Sequence, residues 1–223
     1  VPVLDALIKN YKVKAVVTQP DKQVGRSGKI SKPPVKVLAE EHDILVLQLN
    51  KLREQYQEII DLEPDLIVTC AYGQILPKEL LDYPKYGCIN VHASLLPKFR
   101  GGAPIHRAII EGHKQTGITI MEMIDKMDAG RMYGKAVVEI DDEINTSQLF
   151  EKLAIVGRDL LLETLPGIID NTNKGEEQDE NEATFAYNIT NEEKVLDFTK
   201  DARSVFNHIR AYNPNPIAFM ELK

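Results

Sequence analysis

Residues Gly87–Ile105 read GCINVHASLLPKFRGGAPI. Cys88–His92 is a short apolar run with β-branched residues, bounded by Gly87, and reads as a strand. A helix is expected over Pro104–Glu111, because proline's fixed φ and missing N–H suit the first helical turn. Ser94–Gly102 between them is a loop. Asn90 and His92 lie two apart on the strand, so both side chains project from one face. They sit where it ends, and open α/β sheets bind ligands beyond the carboxyl ends of their strands. An amide donor and an imidazole there could polarise a carbonyl and move a proton. On spacing alone they could equally be a buried pair that only satisfies backbone groups.

The pattern repeats upstream. Val13–Thr18, Leu45–Leu47 and Leu66–Cys70 read as strands, and Val1–Lys9, Pro34–Glu41, Leu52–Leu62 and Pro77–Leu81 as helices. Near-continuous apolar strands separated by helices imply an α/β, Rossmann-like fold: a mostly parallel sheet with helices on both faces. A βαβ reading wants a strand ahead of Val1–Lys9, so a first strand is expected to be missing from this sequence.

Downstream the style changes. Gly117–Glu122 and Tyr133–Ile140 suggest a hairpin. Ser147–Leu165 is an amphipathic helix with Leu149, Phe150, Leu153, Ile155, Val156, Leu160 and Leu161 apolar, and Ser147 is the expected N-cap. Lys174–Glu182 (KGEEQDENE) has the composition of a solvated linker. Ala202–Tyr212 has helical apolar spacing. The expected organisation is a catalytic domain over 1–173, a linker over 174–190 and the start of a second domain over 191–223.

Two further features bear on chemistry. Leu95 and Leu96 in a loop beside polar groups suggest a pocket wall, or residues that merely pin the loop to the core. Asp128, in the turn Lys126–Gly130, could orient His92, keep it protonated or relay a proton, or be an ordinary turn aspartate.

Bulk properties narrow the classes. With 223 residues and 43% hydrophobic content the chain can bury a real core. No run approaches the roughly 18–20 apolar residues of a membrane helix. No basic region followed by an apolar run marks the start as a signal peptide. Cys70 and Cys88 each lie in an apolar run, and read as buried, reduced thiols of a cytoplasmic protein. The histidines show no metal-ligand spacing, so no metal is expected. A net charge of −7 is unusual for a nucleic-acid binder, so any RNA contact must come from local patches or a segment absent here.

The runs NVHASLLPKFRGGAPI (90–105) and GITIMEMIDKMDAG (117–130), with QPDKQVGR, SKPPVKVLAEE, AYGQILP and FNHIRAYNPNP, resemble the N10-formyltetrahydrofolate-dependent formyltransferases. Within them the likeness is greatest to the branch that acts on initiator methionyl-tRNA. The resemblance implies that Asn90, His92 and Asp128 are catalytic. It implies that Ser94, Leu95, Leu96 and Pro97, with Tyr72, Gly73, Gln74, Ile75 and Leu76, hold 10-formyltetrahydrofolate. It implies that Arg26, in the basic loop Pro20–Lys36, touches tRNA, and that 191–223 opens a small OB-like barrel that is truncated here. A small amine (an amino sugar or glycinamide ribonucleotide) as acceptor, or a non-catalytic folate-binding module, is the alternative. A monomer without membrane contact is expected. The chain departs from the family pattern at Arg131, where an acid is more usual, and at Asn215, where an aromatic is.

Overall fold

A computed structural model describes residues 1–24 and 29–220. The chain divides into two compact units, Val1–Asn90 and Val91–Lys223. The boundary falls within a strand, inside the stretch expected to be one catalytic domain.

In the first unit the predicted strands appear in order, with an unpredicted strand pair between the first of them and the second helix. The order is α1 (Pro2–Asn10), β1 (Ala15–Val17), β2 (Lys22–Val24), β3 (Lys29–Ser31), α2 (Pro34–Glu41) and β4 (Leu45–Leu47). Then come α3 (Leu52–Gln55), α4 (Gln57–Ile60), β5 (Ile67–Thr69), α5 (Lys78–Leu81) and β6 (Cys88–His92), whose last two residues lie in the second unit. Pro2 and Pro34 sit in the first turns of their helices, where proline removes no helical hydrogen bond. β1 pairs in parallel with β4, and β5 with β6. These are separate short ladders rather than one continuous sheet. The expected helix Leu52–Leu62 is two single turns broken at Tyr56, because only Leu52 and Ile59 are buried on it.

The basic segment Pro20–Lys36, expected to be a flexible loop, carries an antiparallel pair: Lys22–Val24 runs against Ser31–Lys29. Arg26 lies outside the described residues. Cys70, expected to be buried, is exposed, whereas Cys88 is buried. β5 ends at Thr69, so Cys70 stands in the turn beyond it, before Ala71 at φ 51°.

The second unit contains α6 (Pro104–Ile110), β7 (Gln115–Glu122), β8 (Met132–Glu139), α7 (Thr146–Ile169) and α8 (Ala202–Ala211). β7 and β8 form the predicted hairpin. The cap of α7 is Asn145 rather than Ser147. Asn145 Oδ1 accepts from Gln148 N (3.0 Å) while Gln148 Oε1 accepts from Asn145 N (2.9 Å), a reciprocal capping box. The helix continues through Pro166 to Ile169. Its buried stripe is Leu149, Leu153, Gly157, Leu161, Leu165 and Ile168, while Phe150 and Ile155 face out. A four-residue step keeps that stripe on one side of the helix. Gly157 permits close packing: a Cβ there would come within 2.9 Å of Val91 Cγ1.

Candidate active site

The end of β6 leads into the loop that began the sequence argument. Thr119, fully buried on β7, fixes its first part: its Oγ1 donates to Ser94 O (2.7 Å) and accepts from Leu96 N (3.1 Å). Ser94 Oγ donates to Lys98 O at 2.6 Å, so its hydroxyl is spent on closing the turn. Pro97 is buried in the same turn. The two leucines divide the roles left open by sequence. Leu96 packs with Met121 and Met132 in the core. Leu95 lines a cavity of about 340 Å³ with Lys98, Phe99, His113 and Thr116 among its walls.

Phe99, Arg100 and Gly101 then engage both expected catalytic side chains of this unit. His92 is 6% exposed, and its Nε2 lies 3.0 Å from Phe99 O. A carbonyl oxygen can only accept, so Nε2 carries the hydrogen. That leaves Nδ1 as the ring atom that gains or loses a proton, and it faces Asp128 Oδ2 at 3.8 Å. This separation is a charge contact rather than a hydrogen bond. Asp128 Oδ2 instead accepts from Gly101 N at 2.8 Å. Gly101 must be glycine: its φ is 118°, and a Cβ would lie 2.8 Å from Ala186 O.

Sequence reasoning missed the support behind Asp128. The segment expected to be a solvated linker runs against the loop. Met132 and Glu176 exchange backbone hydrogen bonds, while Arg100 N donates to Thr184 O (2.9 Å) and Arg100 O accepts from Ala186 N (2.7 Å). Ala186 is fully buried and Gln178 nearly so. Arg100, 1% exposed, donates from Nε and Nη2 to Gln178 Oε1 (3.0 and 2.8 Å), and from Nη1 and Nη2 to Glu180 (3.2 and 3.0 Å). Lys126 adds a 2.6 Å bond to Glu180, and the two cations hold the Glu180 carboxyl down at about 2. Arg131 turns to Glu177 at 2.7 Å. The only hint in the sequence was Gln178 amid acids.

In the first unit, Asn90 Oδ1 accepts from Thr69 Oγ1 at 3.0 Å, and the side chain is half-buried. The loop Tyr72–Leu76 is built by two glutamines. Gln19 Nε2 donates to Tyr72 O (3.1 Å). Gln74 bridges Leu49 O and Leu52 N (3.0 and 2.9 Å). Gly73 supplies a φ of 79°, Leu76 is buried, and Ile75 is 66% exposed. The Tyr72 hydroxyl is buried with no hydrogen-bond partner among the described residues, and burial pushes its pKa up. Nearby, Lys36 is bound to Asp21 and Gln48 (2.9 and 2.7 Å), and Lys32 to Glu40 (2.7 Å). Of the cations Lys22, Arg26, Lys29, Lys32 and Lys36 in the basic segment, Lys32 and Lys36 are therefore neutralised locally. No group of three or more potential metal ligands occurs among the described residues, and no described helix is long and apolar enough to cross a membrane.

The formyl transferase family matches residues 2–165, and the formyl transferase C-terminal domain family matches residues 188–223. The methionyl-tRNA formyltransferase of Bacillus thuringiensis subsp. konkukian is 53% identical over 100% of this chain and 72% of its own length. That of Lysinibacillus sphaericus is 53% identical over 94% of this chain and 67% of its own. Among solved structures, the sugar 3N-formyl transferase WlaRD superposes with a TM-score of 0.72 at 21% identity, covering 95% of this chain and 74% of that one. The methionyl-tRNA formyltransferase of Clostridium thermocellum gives 0.63 at 19%, covering 84% and 81%.

Proposed function

The chain belongs to the formyl transferase family, and from that premise we propose that it moves a formyl group from 10-formyltetrahydrofolate to the amino group of initiator methionyl-tRNA, giving N-formylmethionyl-tRNA for translation initiation. The observation that carries the acceptor is 53% identity along the whole chain to methionyl-tRNA formyltransferases. The reaction makes a bond from the methionyl amine to the formyl carbon and breaks the bond from that carbon to the folate N10. One proton leaves the amine and one is gained by N10. The folate supplies the activated formyl group; the chain supplies position, hydrogen-bond donors and a proton carrier.

Asn90 and His92 act from one strand. Thr69 on Asn90 Oδ1 turns the amide so that Nδ2 is the donor for the developing oxyanion, and one such donor contributes about 10²–10³ in rate. With Nε2–H committed to Phe99 O, the donor from His92 is Nδ1–H of the doubly protonated ring, and Asp128 balances its charge. The same Nδ1–H gives its proton to N10 as the carbon–N10 bond breaks, and the neutral Nδ1 left behind takes the proton lost by the amine, which restores the doubly protonated ring. The Tyr72–Leu76 loop suits a flat heteroaromatic ring with polar edges: Ile75 offers an apolar face, and the orphaned Tyr72 hydroxyl calls for a polar partner. Ser94–Pro97 contributes the wall at Leu95. Arg26 and the lysines beside it meet tRNA phosphates, residues 1–173 form the catalytic domain on a mostly parallel sheet, and 191–223 begins an OB-like barrel, with 174–190 between them.

The test is direct. The protein is mixed with 10-formyltetrahydrofolate and charged initiator tRNA, and formylmethionine is measured, with glycinamide ribonucleotide as a parallel acceptor. Transfer to methionyl-tRNA is expected. Transfer only to the small amine would keep the chemistry and overturn the acceptor, and no transfer to either would overturn the activity.

A further inference from the structure

We propose that Arg100 and Gln178 are positioning residues for the transfer: a buried brace that sets the Asp128 carboxylate against His92 Nδ1. The inference rests on the reading of His92 and Asp128 given above.

Asp128 is difficult to hold. Its φ is 49°, a conformation that non-glycine residues adopt only when their surroundings fix it. Its carboxylate faces His92 without a hydrogen bond between them, so His92 does not fix it. The brace does, at both ends of the residue. Gln178 Nε2 donates to Asp128 O and to Gly130 O, each at 2.8 Å, which spans the turn. Gly101 N holds the carboxylate. Both grips trace to consecutive residues, since the Arg100 side chain orients Gln178 and Gly101 follows it in the chain.

The Gln178 amide can sit only one way. Its oxygen takes two bonds from Arg100, and its nitrogen gives two bonds to carbonyls. Turned over, it would set N–H groups against a guanidinium and an oxygen against two carbonyl oxygens. A glutamine with all four bonds made, on a guanidinium 1% exposed, is a rigid link rather than a surface contact. Phe99 closes the unit, because its carbonyl holds His92 Nε2. Phe99-Arg100-Gly101 therefore fixes the imidazole from one side and the carboxylate from the other. A misplacement of a catalytic group by about 1 Å costs about 10²-fold.

The test is Gln178→Glu in the full chain. It keeps the volume and the Arg100 partner but sets a carboxylate oxygen against two carbonyl oxygens. The expected result is a fall in kcat of about 10²-fold with KM for folate and for methionyl-tRNA within about twofold, which shows the protein still folded, and a lowered thermal midpoint. Glu177→Gln, which alters only the exposed partner of Arg131 on the same segment, should change kcat by less than about twofold. Ring ¹⁵N shifts of His92 are read in the same samples without substrate. They should move in Gln178→Glu and stay in Glu177→Gln. Wild-type kcat together with unmoved His92 shifts in Gln178→Glu would overturn the brace, as would a loss in KM alone. If the wild-type protein formylates nothing, the activity assignment falls, while the His92 shifts still decide whether the brace acts on the ring.

Discussion

Two segments follow strand ends in this chain and carry cations, and they use them in opposite ways. Phe99–Gly101 buries its one cation completely. Arg100 is 1% exposed and bonded to a glutamine and a glutamate, and the backbone on either side holds His92 and Asp128. The antiparallel strands Lys22–Val24 and Lys29–Ser31 are flanked by two ion pairs, half-buried Lys36 with Asp21 and exposed Lys32 with Glu40. A buried charge is tolerated only when paired and hydrogen-bonded, so it serves to fix geometry. Exposed charges contribute little to stability and remain able to meet a charged partner. The contrast suggests that substitutions near Phe99–Gly101 change the rate, while those in the basic segment change affinity for the tRNA.

The largest break expected outside His92 itself is Asp128→Asn. The amide oxygen still accepts from Gly101 N, so the loop should survive while the charge opposite Nδ1 is lost. A fall in kcat of about 10²-fold or more is expected, with folate binding kept. An unchanged kcat would remove Asp128 from the mechanism. Arg26→Ala should act on the other side of the comparison, raising KM for methionyl-tRNA several-fold with folate affinity unaltered. Removing one phosphate contact should also flatten the dependence of log KM on log salt by a little under one unit. Wild-type tRNA use would discard the basic-segment assignment.

Smaller effects follow from the titrating groups. Glu180 is held at about 2, below its usual 4.5, by Arg100 and Lys126. A carboxyl with a lowered pKa contributes fully above its ordinary value and loses its contribution as pH falls through the folded one. The 176–186 segment should therefore keep its hydrogen-exchange protection from neutral pH to about 4.5 and lose it toward 2. Glu180→Gln should remove that acid dependence, and a protection profile identical to wild type would contradict the pairing. Cys88, pushed up to about 12 by burial, should resist alkylation at pH 8 in the folded protein, while Cys70, exposed but with its thiol also pushed up by desolvation, should react the faster of the two.

The strands were legible because three to five consecutive apolar residues between breakers leave little choice, and Leu45–Leu47 and Cys88–His92 fall where the sequence puts them. The hairpin of β7 and β8 and the helix at Pro104 were legible for similar reasons. Asn90, His92 and Asp128 could be singled out, but the tautomer of His92 could not, since it depends on a carbonyl seven residues away. KGEEQDENE misled most. Its composition is that of solvated chain, and its charges do face water, yet Gln178 turns inward and finds a buried arginine 78 residues earlier. Composition averages over such a segment, while its role lies in one side chain. The cap of α7 failed more simply, because Asn145, Thr146 and Ser147 are all cap residues and only Asn145 has Gln148 three positions on.

The most direct test of the account is His92→Ala, assayed for folate binding and for single-turnover formyl transfer to methionyl-tRNA in one preparation. The account predicts folate affinity within about twofold of wild type, and transfer reduced by at least the 10²–10³ associated with one lost donor. Transfer at the wild-type rate with folate bound would contradict it, because the account assigns both an oxyanion donor and the proton transfer to His92 Nδ1.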